Sequence, residues 1–296
     1  MFPSHLSHYA RQTRWSDPGQ HAAALGNLPS DPARLRDAFA GLLLHPASTD
    51  ASELGIPVEA RADKELRRIE DFLSLLSRDP APLDRPREPR RRGFGVCRHF
   101  ALLAASVLRA AGTPARLRVG FTFYFTSGFG EDHWVCEFHD GTRWRLLDVE
   151  LDEAARARLG IAFDPTDVPR TAFVPAGPMW KRLREGQADG ETLGVGTIGL
   201  RGAWFAASSL LRDLAVLVGN EGVLPWDYWG PARAFGPGSN VLSEWLAPLD
   251  VLANDLAAEP GGNEEMTALP HAHPWAALPC SVLSYPHGEP VEVPIT

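Results

Sequence analysis

Apolar positions recur at helical spacing in several separate stretches of the chain. Leu35, Phe39, Leu42 and Leu43 form one stripe behind Ser30, Asp31 and Pro32. That order predicts a helix capped by Ser30 or Asp31 with the proline early in it. Leu66, Ile69, Leu73 and Leu76 predict a second helix over about 59–77. A third runs from about Val96 to Ala111, rich in Ala and Leu, and stops at Gly112. From Pro114 to Thr126 the period changes to two: Ala115, Leu117, Val119, Phe121 and Phe123 alternate with Arg116, Arg118, Gly120 and Thr122. This predicts a strand. After the loop SGFGED, a second strand is expected over His133 to His139, a hairpin turn at Asp140-Gly141, and a third strand over Arg143 to Val149.

Beyond Leu151 the pattern is helical and rich in tryptophan. Residues 163–178 carry four prolines and read as a connector. Long helices are expected over about 197–218 and 239–257, and the last forty residues, rich in Gly, Pro and His, are the least ordered by composition. The fold class expected is α+β, one antiparallel sheet with helices around it. The expected divisions are an N-terminal helical segment (1–58), a core (59–175) and a helical, Trp-rich C-terminal extension (176–296).

Composition narrows the function classes. The chain has 296 residues, 44% apolar and 22% charged, with a formal charge of −8. That is enough to bury a sizeable core, and it is acidic, which argues against a nucleic-acid partner. No apolar run approaches the ~20 residues of a membrane span. The N-terminal stretch lacks the apolar run of a signal peptide, so a cytoplasmic, membrane-free protein is expected. Arginines crowd the proline-rich stretch 79–95. It reads as a solvated loop or as a site for an anionic substrate or partner.

Three cysteines, Cys97, Cys136 and Cys280, form neither a disulfide framework nor a CxxC pair. Cys97 stands where a Gly-Phe-Gly-Val turn enters a helix. There the helix dipole and unbonded N–H groups favour a thiolate, and Arg98 adds positive charge nearby. His133 opens a strand and shares a face with Val135 and Glu137. If Asp140 and Gly141 make a two-residue turn, counting back along both strands puts His133 directly opposite Asp148, with Cβ atoms roughly 5 Å apart. Cysteine, histidine and aspartate then make a nucleophile, a base and an orienting group. Backbone N–H groups at the helix start, that of Cys97 included, are the expected oxyanion donors.

The stretches Gly95-Val96-Cys97-Arg98-His99-Phe100-Ala101, Leu108-Arg109-Ala110-Ala111-Gly112-Thr113-Pro114-Ala115-Arg116, Asp132-His133-Trp134-Val135 and Trp144-Arg145-Leu146-Leu147-Asp148 together resemble bacterial members of the transglutaminase-like superfamily. The resemblance covers about residues 60–152. It implies a papain-like α+β core with a Cys97–His133–Asp148 triad. Many members read His-Ala-Trp where this chain has His133-Trp134 with nothing between.

The resemblance implies a thiol enzyme that attacks an amide through a thioester on Cys97. Hydrolysis as a peptidase or amidase is preferred; transfer to an amine, as an acyltransferase, is the alternative, and a non-catalytic interaction module the second. The substrate would be an amide-containing small molecule, peptide or protein, with an amine as a possible acceptor. No cofactor and no metal are expected. Among competing residues, His99 reads as a core or supporting histidine, His139 as exposed, Asp152 as a helix cap and Asp164 as the rival orienting group. Glu137 reads either as support for His133 or as solvent-facing, Cys136 as packed and Cys280 as inert. Trp226, Asp227 and Trp229 shape either a cleft or the core, and the His271-x-His273 pair lacks a third ligand in sequence.

Overall fold

The computed structural model describes residues 4–47, 53–54, 56, 58–258 and 263–295. The chain divides into two compact units. The first comprises residues 1–117 and 135–168, the second residues 118–134 and 169–296.

In the first unit, α1 (Ala22–Leu25) precedes α2 (Pro32–Ala40), where the Asp31 carboxylate accepts from the Arg34 N–H at 2.9 Å. The cap and early proline expected from sequence are therefore both used. The short β1 (Leu43–Leu44) follows. The single helix expected over about 59–77 is instead a 3-10 segment, Val58–Glu65, and a separate α3 (Ile69–Leu76). The break leaves the carbonyls of Leu66 and Arg67 to side chains of the next helix. β2 (Gly93–Phe94) pairs parallel with β1, and α4 (Cys97–Ala110) follows at once. Leu102, Leu103, Ala104 and Ala105 of α4 are fully buried, as its composition predicts. Gly112, at φ +79°, ends the turn after it.

Strands β3 (Ala115–Thr126) and β4 (Phe129–His139) follow, then β5 (Trp144–Leu147) and α5 (Glu153–Leu159). Strand β4 starts earlier than expected, directly after a tight turn at Ser127-Gly128. Asp152 caps α5, accepting from the Ala155 N–H at 2.7 Å.

The β4–β5 register corrects the sequence expectation. His139 pairs with Trp144 and Cys136 with Leu147. The loop between them is residues 140–143, closed by the Asp140 N–H on the Arg143 carbonyl at 3.0 Å. Its cause is the Asp140 carboxylate, which accepts from the Thr142 hydroxyl and from the N–H groups of Arg143 and Thr142. Those bonds hold its carboxyl well below the usual carboxylate range. A side chain that gathers three donors favours this longer loop over a two-residue turn. Continued by count, the ladder brings Asp148 level with Val135, so the predicted direct opposition of His133 and Asp148 is not formed. Asp148 has already left the ladder, its N–H donating to Pro165 at 2.9 Å.

Both faces of β3 are covered along its first eight residues. Leu117, Val119 and Phe121 are fully buried, and so are Arg116 and Arg118 on the other parity. In the first unit, Arg116 donates to Glu137 at 2.6 Å and stacks on Trp144 at 4.0 Å. Glu137 is therefore half of a buried ion pair, which overturns a solvent-facing place for it. His139, expected exposed, is buried with its ring edge on Trp144.

In the second unit, β6 (Phe173–Pro175) lies inside the proline-rich stretch expected as a connector. It pairs antiparallel with β3, and Gly120 makes the approach possible: a Cβ there would stand 2.3 Å from the Val174 carbonyl oxygen. α6 (Ala176–Arg184), β7 (Leu193–Val195) and β8 (Leu200–Arg201) lead to α7 (Ala203–Leu217). Here the sheet runs β6-β3-β4-β7-β8. Helix α7 starts later than its apolar pattern predicts because Gly202, at φ +139°, sets off a separate strand before it. From α7, Asp213 takes both Nε and a terminal nitrogen of Arg118 at 3.1 and 3.0 Å, and the Val119 N–H at 2.9 Å.

The rest of this unit is β9 (Asp227–Tyr228), α8 (Ser243–Ala257), α9 (Asn263–Ala272), β10 (Ser281–Ser284) and β11 (Val291–Pro294). The last forty residues still contribute a helix and two strands, and β10 pairs with both β11 and β9. Trp229 donates to the Ala276 carbonyl, and Asp227 accepts from Leu224 and Ser284, so this cluster anchors the core. Among the described residues, no helix is long and apolar enough to cross a membrane.

Candidate functional site

Cys97 is the first residue of α4 and 6% exposed. Its helix start is built by two neighbours in the same turn. The His99 ring accepts the Val96 N–H at Nδ1 (3.3 Å), while Nε2 stands 2.9 Å from the Leu66 carbonyl. The first bond requires an unprotonated Nδ1 and the second a protonated Nε2, so His99 is the neutral Nε2–H tautomer. Burial, then the charge of Arg98, pushes its pKa down to about 3. Gly95 lets this ring come close, since a Cβ there would meet the His99 Cβ at 2.9 Å. Arg98 turns its guanidinium to the carbonyls of Leu66 and Arg67. These two residues fasten the first turn of α4 and so fix the cysteine.

Two side chains gather at the thiol that sequence reasoning did not single out. A ring nitrogen of His45, the Cys97 Sγ and a carboxylate oxygen of Glu150 all lie within 4.8 Å of one another. Backbone pairing places His45. Leu44 of β1 pairs with Phe94 of β2, and the Gly95 N–H donates to the Leu44 carbonyl, so the residue after β1 arrives beside the residues before α4. Glu150 is placed by Asp148, whose carboxylate accepts the Glu150 N–H at 2.9 Å. Its position two residues past Asp148 was a usable signal; His45 offered none, because two-residue strands leave no periodicity.

Asp148 is buried in the first unit, and its side chain holds the turn that carries Glu150. Its rival, Asp164, is spent on the N–H and hydroxyl of Thr166. Two arginines of the arginine-rich loop are spent on backbone carbonyls and a third is paired with Asp79. Arg87 is buried on the carbonyls of Leu76 and Ala81, and Arg92 bonds those of Arg87 and Ala40. Arg91 pairs with Asp79 at 3.4 Å in the wall of a cavity of about 630 Å³ that Asp63, Arg78 and Arg90 also line.

His133 belongs to the second unit, on β4, and is 3% exposed. Three aromatic rings stand edge-on to its imidazole: Phe125 at 5.1 Å, Tyr124 at 6.3 Å and Phe173 at 6.4 Å. They fix the ring plane and keep bulk water off it. Its neighbour Asp132 lies near Arg212 and Ser209 of α7, and burial raises its pKa to about 6, against the pull of Arg212. The folded protein therefore holds this proton more tightly than the unfolded chain, whose value is near 3.8. Stability is then expected to fall as pH rises from about 4 to about 6 on account of this group. Asp132→Asn should remove that decline, read from urea melts at the two pH values; an unchanged slope would contradict it.

Cys136 is fully buried, as its strand parity predicts, and Cys280 is exposed. His273 is committed to Asp255 at 2.7 Å, and His271 is exposed.

Residues 61–149 match the family model of the transglutaminase-like superfamily, a span that includes Cys97, His133 and Asp148. The chain thus carries a transglutaminase-like domain on a mixed helix-and-sheet fold. Among solved structures, a provisionally described cysteine protease from Cytophaga hutchinsonii is similar at 15% identity and a TM-score of 0.34. The match takes in 59% of this chain and 46% of that one, so the chain spans about half the length of that protein. A search of curated proteins finds no match.

Proposed function

We propose that this protein is a thiol enzyme that cleaves an amide bond through a thioester on Cys97, with water as the preferred acceptor. His133 takes the thiol proton, and Asp148 orients the imidazole. The thiolate adds to the amide carbonyl; His133 returns the proton to the leaving amine, and water releases the acid. The Cys97 N–H at the start of α4 steadies the oxyanion. A cytoplasmic setting is part of the same reading.

The observation that carries it is the thiol at the first position of a long helix, fixed by His99 and Arg98, inside a transglutaminase-like domain. A helix N-terminus stabilises a thiolate, and a fixed first turn holds it still. Water is favoured because half-buried polar groups, His45 and Glu150, gather at the sulfur. A thioester formed there would stand among groups that order water, whereas amine transfer needs water kept out.

The test offers glutamine-containing peptides with and without a primary amine and follows both ammonia release and amine incorporation. Ammonia release without incorporation, absent in Cys97→Ser, is the expected result. Incorporation that outruns hydrolysis would make the enzyme an acyltransferase. Activity retained in Cys97→Ser would overturn the thioester.

A further inference from the structure

We propose that Cys97, His45 and Glu150 form a site for a zinc ion, which when bound caps the nucleophile. One sulfur, one imidazole nitrogen and one carboxylate oxygen within 4.8 Å of each other are a zinc donor set. Ligands of a tetrahedral zinc stand roughly 3.3–3.6 Å apart, so closure asks for side-chain shifts of about an ångström. His45 and Glu150 are half-buried, the first just past a strand end and the second in a turn, where such shifts are open to them. Three protein ligands leave a fourth position for water.

Charge points the same way. A thiolate at this spot stands beside a carboxylate, and the two repel; a divalent cation neutralises both. The sulfur and imidazole select zinc over calcium or magnesium, which take oxygen ligands. Binding breaks the Cys97 S–H bond, forms S–Zn and releases the proton to solvent. His45 also rearranges. The Ala47 N–H donates to its Nδ1 at 3.1 Å, so the free ring carries its proton on Nε2. Coordination through either nitrogen gives up that bond. Ala47 is exposed and turns its N–H to water, a cost of about 1 kcal/mol that is small against metal–thiolate binding. Residues 45–47 are therefore expected to shift on binding.

That the bound ion silences catalysis rests on the thiol-enzyme reading; that it binds does not. The experiment strips the protein with a chelator and titrates it with Zn²⁺ against a coloured zinc chelator, then repeats the titration with Co²⁺. One equivalent of zinc is expected, with a thiolate-to-cobalt charge-transfer band. Cys97→Ser should abolish the band, and His45→Ala and Glu150→Gln should each weaken zinc by about tenfold or more. Zinc should also protect Cys97, and not Cys280, from iodoacetamide. His271→Ala should bind as wild type does. Zinc affinity unmoved in both Cys97→Ser and His45→Ala, with native circular dichroism, overturns the site. So does affinity that follows His271. If the site binds zinc and no amide is ever cleaved, the site stands and the enzyme reading falls.

Discussion

Asp213→Asn is expected to cost about 3–5 kcal/mol of stability, the range for breaking a buried ion pair by removing one charge. Arg118 and Asp213 are 1% and 0% exposed at their side chains. The guanidinium meets both carboxylate oxygens, and one of them also holds the Val119 N–H. The amide matches the carboxylate in shape but offers one acceptor oxygen and no charge. The buried Arg118 then loses the carboxylate that met two of its nitrogens. Removing the charge at both ends, as Arg118→Met with Asp213→Leu, should recover much of the loss, because desolvation of the pair is costly in itself. Urea denaturation of the two variants measures this. A single-variant loss below about 1 kcal/mol, the worth of an exposed pair, would show that water reaches the site.

The second large effect falls on His99. Its pKa of about 3 against an ordinary 6.5 means that the folded protein keeps the ring neutral where the unfolded chain takes up a proton. Its contribution is therefore complete above pH 6.5 and is lost as pH falls, by about 1.4 kcal/mol per unit until the folded value is reached. Between pH 6.5 and pH 5, about 2 kcal/mol should go. His99→Leu removes that slope. At pH 7 it should also cost about 2–3 kcal/mol, since the Val96 N–H and a lone pair of the Leu66 carbonyl lose their partner in a buried place. The variant should alkylate more slowly at Cys97 as well, because the helix turn that carries the thiol is no longer fastened. Paired urea titrations at pH 7 and pH 5 decide this, and a variant whose pH slope equals that of wild type would contradict it.

Much of the fold was legible where local pattern and local chemistry agree. The Ala- and Leu-rich run after Cys97 is a helix that stops at Gly112, and the alternation after Pro114 is a strand. The turn after the second of these strands was read as two residues because Asp-Gly is a hairpin signal. The Asp140 side chain collected extra donors and lengthened it, and the strand register shifted with it, so His133 and Asp148 are not directly cross-strand. Burial of Arg118 could not be read at all, since its partner lies 95 residues on. The two strands near the C-terminus are four residues each, too short for a period against a background of Gly and Pro. At the site, Cys97 was legible from its place between a glycine turn and a helix. His45 was not, because it reaches the thiol through a parallel pairing of two-residue strands.

The most direct test of the central claim is the rate of Cys97 alkylation by iodoacetamide at pH 6, followed by mass spectrometry, with a chelator present, in wild type and in His133→Ala. Cys97 is buried and Cys280 exposed, so access alone favours Cys280. An activated thiolate should nonetheless make Cys97 faster than Cys280 by about tenfold or more, and His133→Ala should erase that lead. Cys97 labelling no faster than Cys280, or a lead that persists without His133, would contradict the account.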